Sequence, residues 1–268
     1  MVHAAPNWTD ESEWTEKKTR PEVYWQDDTP IPHKDVNPLR EAMGKAYPAF
    51  KQEGWSLWCP SIIKVGDTYH MFCSRWKGQN GKSMKGWTSG HIVRATSKSL
   101  TGPYEFQEIV LEPRRGQDFY DSFGVHNPKI TKYGDQFILY YIMIPDENYK
   151  KTDAFKNGPG GYLMGIATAG SINGPWQRSD EPVAPLNNPA LWIQEDGSVY
   201  ALAKDKTLES TAKRKYCRMT TWSAPKLAGP YTPLDHQNHG LPNGYEHEDS
   251  CVWYAGGQYN ILVNDWKQ

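Results

Sequence analysis

Along the chain the same short pattern of alternating apolar and polar positions returns four times. It appears as CPSIIKVGDTYHMFCS from Cys59, NPKITKYGDQFILYYI from Asn127, NPALWIQEDGSVYALAK from Asn188 and DSCVWYAGGQYNILVN from Asp249. Each copy is a β-rich run, a two-residue turn and a second run of aromatic and branched residues, a pattern that predicts a β-hairpin. The turns are Gly66-Asp67, Gly134-Asp135, Asp196-Gly197 and Gly256-Gly257. Between the hairpins a second unit recurs: IVRATSKSLTGPY, MGIATAGSINGPW and MTTWSAPKLAGPY, ending at Tyr104, Trp176 and Tyr231. Each predicts a strand followed by a Gly-Pro turn, and because proline offers no N–H to a ladder, these turns mark the outer edge of a small sheet.

Two hairpins per repeat make four antiparallel strands. With offsets of 68 residues from Pro60 to Pro128 and 61 from Pro128 to Pro189, the expected fold is all-β, a five-bladed β-propeller of four-stranded blades. Blades are expected to begin near residues 58, 126, 187 and 248 of a propeller domain over 55–268. Residues 1–54 form an N-terminal extension that could supply a ring-closing strand and, over 37–46, a short peripheral helix. Four inner hairpins accompany only three outer ones, so the chain is expected to stop within blade four, with an unpaired edge and an open ring unless residues 1–50 close it.

Composition narrows the partners. Of 268 residues, 30 are Lys or Arg and 31 Asp or Glu, giving a net charge of -1 with no blocks of one sign, which argues against nucleic-acid and membrane-surface partners. Hydrophobic residues are 38%, yet 12 Trp and 16 Tyr are present, so apolar area comes from rings with polar edges and the chain is no disordered polymer. No apolar run reaches the roughly 20 residues that a bilayer requires. The start, MVHAAPNWTDESEW, lacks the features of a secretory leader. The protein is therefore either cytosolic or a periplasmic or secreted protein whose leader has been removed, and the second is the preferred expectation. Cys59, Cys73, Cys217 and Cys251 match no metal-binding spacing and read as half-buried thiols, with a disulfide as the alternative.

In each inner hairpin the start of the first strand and the end of the second share one end of the blade, and those ends would ring the propeller axis. The starting set includes Trp58, His126, Asn127, Asn188, His247, Glu248 and Asp249; the finishing set includes Arg75, Trp76, Lys204 and Asp265. Registered on their turns, Trp58, His126 and Glu248 are equivalent and are expected to converge on the axis. Paired carboxylates suit acid–base chemistry on a sugar: Glu248 is the expected acid, Asp121 or Asp265 the base. Trp58 and Trp76 would stack on the sugar, with Arg75, Lys204, His126, Asn127, Asn188, His247 and Asp249 binding it. Asp249 and Asp265 could equally cap strand ends, and no paired histidines suggest a metal site.

The runs PSIIKVGDTYHMFCSRW, IVRATSKSLTGPY, HNPKITKYGDQFILYYI and HEDSCVWYAGGQYNILVND together resemble the five-bladed glycoside hydrolases of families 43 and 117, over roughly residues 55–268. The resemblance implies cleavage of glycosidic bonds in a plant or algal oligosaccharide or polysaccharide, exo-acting and inverting, by acidic residues at the start of inner strands. It implies no required cofactor, but admits a structural calcium ion near the axis. Family 43 places Asp before the first-blade proline, Asp after the second and Glu in the third blade; here these positions hold Cys59, Lys129 and Asn187 or Asn188. His247-Glu248-Asp249 is closer to family 117. Those departures keep a carbohydrate-binding propeller without turnover, or a polysaccharide lyase, as the alternative.

Overall fold

The computed structural model describes residues 50–78, 86–156, 161–205, 218–235, 247–255 and 258–265. The expected helix over 37–46 and ring-closing strand from the first 49 residues lie outside them. Four antiparallel sheets follow one another along the chain. The first contains β1 (Trp55–Val65), β2 (Thr68–Lys77), β3 (His91–Ser97) and β4 (Glu105–Leu111); the second contains β5 (Gly124–Tyr133), β6 (Gln136–Ile144), β7 (Leu163–Ala169) and β8 (Gln177–Arg178). The third contains β9 (Asn187–Ile193), β10 (Val199–Asp205), β11 (Arg218–Ala224) and β12 (Thr232–Asp235), and β13 (His247–Ala255) pairs with β14 (Gln258–Asp265) in the fourth. Sequence order is spatial order in the first two sheets, and the third runs the same way from β9 to β12. The inner hairpins and outer Gly-Pro units predicted above are these strands. Among the described residues, the fourth sheet has two strands.

Blade two shows why the inner strands read as they do. Every residue of β6 after Gln136 is buried, because the blade is covered on both faces. Phe137, Leu139, Tyr141 and Met143 join Phe72 and Ile92 of blade one in one core cluster, whereas Ile138 and Tyr140 join Leu191, Val199 and Ala201 of blade three in another. Period-two alternation sends successive side chains to opposite seams, so a strand between two blades is a continuous apolar run.

Each inner strand carries a register shift near its start: between Trp58 and Ser61, His126 and Lys129, and Glu248 and Cys251, and in β9 opposite Leu202 and Lys204. At these bulges Cys59, Asn127, Asn188 and Asp249 hold φ of 47°, 48°, 52° and 51°. Asn and Asp tolerate this left-handed region, but cysteine rarely does. The geometry is therefore set by the repeated architecture and not by the propensity of each residue.

Candidate functional site

The four left-handed residues meet. Asn127 Nδ2 donates to Asp249 Oδ1 at 3.1 Å and Asn188 Nδ2 to the same oxygen at 2.5 Å, while the Cys59 thiol donates to the Asp249 carboxylate. Blades one to four thus each place one side chain at a common point, which defines the axis. Burial and the neighbouring Asp249 push the Cys59 thiol far above its ordinary pKa, so it serves as a hydrogen-bond donor and not as a nucleophile. Lys129, two residues beyond Asn127, reaches across to donate to the Ser250 carbonyl and lies within charge range of Asp249 and Cys59. Burial draws its pKa down from the ordinary lysine value.

The residues one step earlier in the chain point into the seams. The ring of His126 lies 5.6 Å from that of Trp76 and 5.0 Å from that of Trp87, and Trp87 lies 5.6 Å from Tyr162. Glu248 forms an ion pair with Lys204 at the end of β10. Trp58, His126 and Glu248 therefore do not converge as expected: the bulge inserts a left-handed residue just after them, and that next residue takes the axial position. His126 is 4% exposed, and burial pushes its pKa down to about 3, so the ring is neutral.

Other predicted site residues are distributed as follows. Ser74 and Trp76 face blade two, through Ser74 Oγ accepting from Asn127 N and through the His126 contact; Arg75 accordingly turns to the opposite face. There its guanidinium donates to His91 Nε2 at 2.8 Å and Gln52 Oε1 at 2.7 Å and stacks on Trp55, so it is not an axial sugar contact. Asp121 is 0% exposed; Arg114 Nε binds one oxygen at 2.6 Å and Arg178 Nη1 the other at 3.0 Å. A base needs an open lone pair and access to water, so Asp121 is a structural anchor in the outer part of blade two. Trp58 is half-buried and paired in register with Ser74. His247 and Asp265 face each other in the register of β13 and β14, and the structure describes only their backbone.

Sequence reading did not select Cys59, Lys129, Ser250, Trp87 or Tyr162 as site residues. Trp87 and Tyr162 lie in the Gly-flanked runs KGWTSG and GGYLMG, just after inner hairpins, and that placement was the available signal.

Calcium takes six to eight oxygen ligands. Asp249 is the carboxylate at the axial point, and it is already met by two amide nitrogens, a thiol and the charge of Lys129. Among the described residues, no group of three or more His, Cys, Asp or Glu side chains could hold a metal. These donors do not fit a calcium ion. What the site does offer is unsatisfied polar atoms: among the described residues, Asn127 Oδ1, Asn188 Oδ1, Ser250 Oγ and His126 Nδ1 are buried with no hydrogen-bond partner.

Comparison with solved structures finds a likeness across most of the chain. Zg3597, a family 117 glycoside hydrolase produced by the marine bacterium Zobellia galactanivorans, superimposes with a TM-score of 0.54 at 14% identity over 79% of this chain and 67% of its own. The fold is that of the five-bladed glycoside hydrolases. A GH43_1 enzyme from Xanthomonas citri complexed with xylotriose gives a TM-score of 0.54 at 15% identity, over 82% of this chain and 70% of that one. A bifunctional GH43-CE protein of Bacteroides eggerthii gives 0.53 at 14% identity, over 82% of this chain and 25% of that one. No protein-family model matches the sequence, and no curated protein matches it. At these identities the likeness establishes the propeller fold.

Proposed function

We propose that the chain is a glycoside hydrolase acting at the propeller axis on a plant or algal oligosaccharide, releasing sugar from the chain end with inversion. The observation that carries this reading is the set of buried polar atoms near Asp249, from blades two, three and four, that have no partner among the described residues. A buried acceptor without a donor costs about 1–3 kcal/mol. A ligand that brings many hydroxyl donors to one point would satisfy several of them together, and a sugar does so. The half-buried rings of Trp87 and Tyr162, packed beside the buried His126 and Trp76, add the apolar surface on which a pyranose face stacks.

Glu248 is the reactive carboxylate of this reading. Both oxygens of Asp121 are bound by arginines and Asp249 is met by two amides and a thiol, whereas Glu248 is part-exposed and contacts the ammonium of Lys204. So placed, it suits proton abstraction from water better than the acid role expected from sequence. The acid of this reading is a second carboxylate across the cleft from it. Inversion asks for a carboxyl separation of roughly 6.5–9.5 Å.

A binding propeller without turnover is the second reading, favoured by Cys59, Lys129 and Asn187 or Asn188 standing where family 43 blades carry acids. Xylotriose, the ligand of one structural neighbour, heads a panel of short neutral oligosaccharides, followed by uronate-containing ones. Reducing-sugar release, with the anomer identified by NMR, is expected to detect hydrolysis. Glu248→Gln is expected to lower turnover at least about a hundredfold while leaving the melting temperature nearly unchanged. Binding by calorimetry without any release would overturn the hydrolase reading, and a product absorbing in the near ultraviolet would point to a lyase.

A further inference from the structure

We propose that the Lys129 ammonium is the resident cation of the propeller axis, taking the place a bound metal would have and making the four-blade junction independent of calcium. Lys129 leaves blade two, crosses the axis and ends at the Ser250 carbonyl in blade four, beside Asp249. Asp249 collects donors from the other three blades, the Cys59 thiol and the Asn127 and Asn188 amides, each with its nitrogen or sulfur turned to the carboxylate. This is the arrangement of an anion whose counter-charge is already supplied. A metal at the same point would need the amide oxygens turned inward, whereas here the amide nitrogens face Asp249 and the oxygens have no partner among the described residues.

The pair also spans the ring. Lys129 and Asp249 come from blades that are not neighbours, so their attraction draws opposite sides of the junction together, as an axial metal ion would. Removing one partner of a buried pair leaves the other charge uncompensated and costs far more than removing both. That asymmetry identifies the pair experimentally, and it does so whether or not the axis turns over a sugar.

Thermal unfolding of the full chain, followed by circular dichroism, tests the assignment. The wild-type melting temperature is expected to be the same in excess EDTA and in millimolar calcium. Lys129→Met and Asp249→Asn are each expected to lower it by on the order of 10 °C, and the double variant is expected to recover most of that loss. A wild-type melting temperature that falls in EDTA or rises with calcium would overturn the assignment. So would single-variant losses that simply add in the double variant. If a single variant fails to fold, the wild-type calcium response and the melting of the double variant still decide the matter.

Discussion

His126 shows what one side chain does in this architecture. Its ring is neutral because it is buried between Trp76 and Trp87, and burial together with the neighbouring Arg75 pushes His91 down to about 4. Both lie below the ordinary value of 6.5, so as pH falls through about 6.5 the unfolded chain takes up protons that the folded chain does not. Stability is therefore expected to fall as pH drops from about 6.5 toward 4, through linkage. A melting series above about pH 5, where carboxylates contribute least, checks this. His126→Gln is expected to flatten the slope, and an unchanged slope would show that His126 is accessible to protons. The same residue marks the limit of reading the sequence. Turn-based register correctly made Trp58, His126 and Glu248 equivalent, but which member of each opening motif reaches the axis depends on a backbone bulge that no side chain announces. Cys59 in particular gives no sign of a left-handed φ, whereas Asn127, Asn188 and Asp249 allow one.

At the scale of the element, the inner hairpins and Gly-Pro units were legible because two-residue turns and period-two runs are local signals. Contacts between elements distant in sequence were not: Asp121 is anchored by Arg178, 57 residues away, and only the folded blade brings them together. A second such contact supports the aromatic wall. Gly124, at the start of β5, lies so close to the short helical turn Trp87–Ser89 that an added Cβ would stand 1.9 Å from the Thr88 carbonyl oxygen and 2.8 Å from its carbon. That neighbour is backbone and cannot rotate aside. Gly124→Ala is expected to cost about 1–3 kcal/mol and to move Trp87 away from His126, altering the near-ultraviolet dichroism of tryptophan. A variant with wild-type stability and spectrum would show that the turn yields freely.

For the whole molecule, the contrast between seams and free surface matters most. The seams between blades one and two and between two and three are closed by large buried clusters, while on blade four Trp253 is 43% and Leu262 64% exposed. Cys251 and Leu262 are paired in register, with Trp253 two residues further along, so these apolar side chains share one face of the β13–β14 sheet. Apolar surface beside a strand edge favours association. Replacing Trp253 and Leu262 by Lys is expected to shift sedimentation toward a smaller species, with stability changed by no more than about 0.5 kcal/mol. Wild-type protein that sediments as a monomer at every concentration tested would refute this expectation.

The bulges have a consequence for how such a ring can change over evolutionary time. Backbone N–H groups at the inner strands find partners on the preceding blade: Asn127 N donates to Ser74 Oγ, Ile130 N to Ser61 Oγ and Leu191 N to the Tyr140 hydroxyl. A blade moved alone into another ring would leave these donors behind a stranger's side chains, and each orphaned buried group costs about 1–3 kcal/mol. The heritable module is then the pair of inner hairpins of two successive blades, since Ser61, Ser74 and Tyr140 all lie in the first hairpin of the blade that supplies them. Chimeras that keep the inner hairpins of adjacent blades from one parent should survive recombination more often than chimeras that mix them.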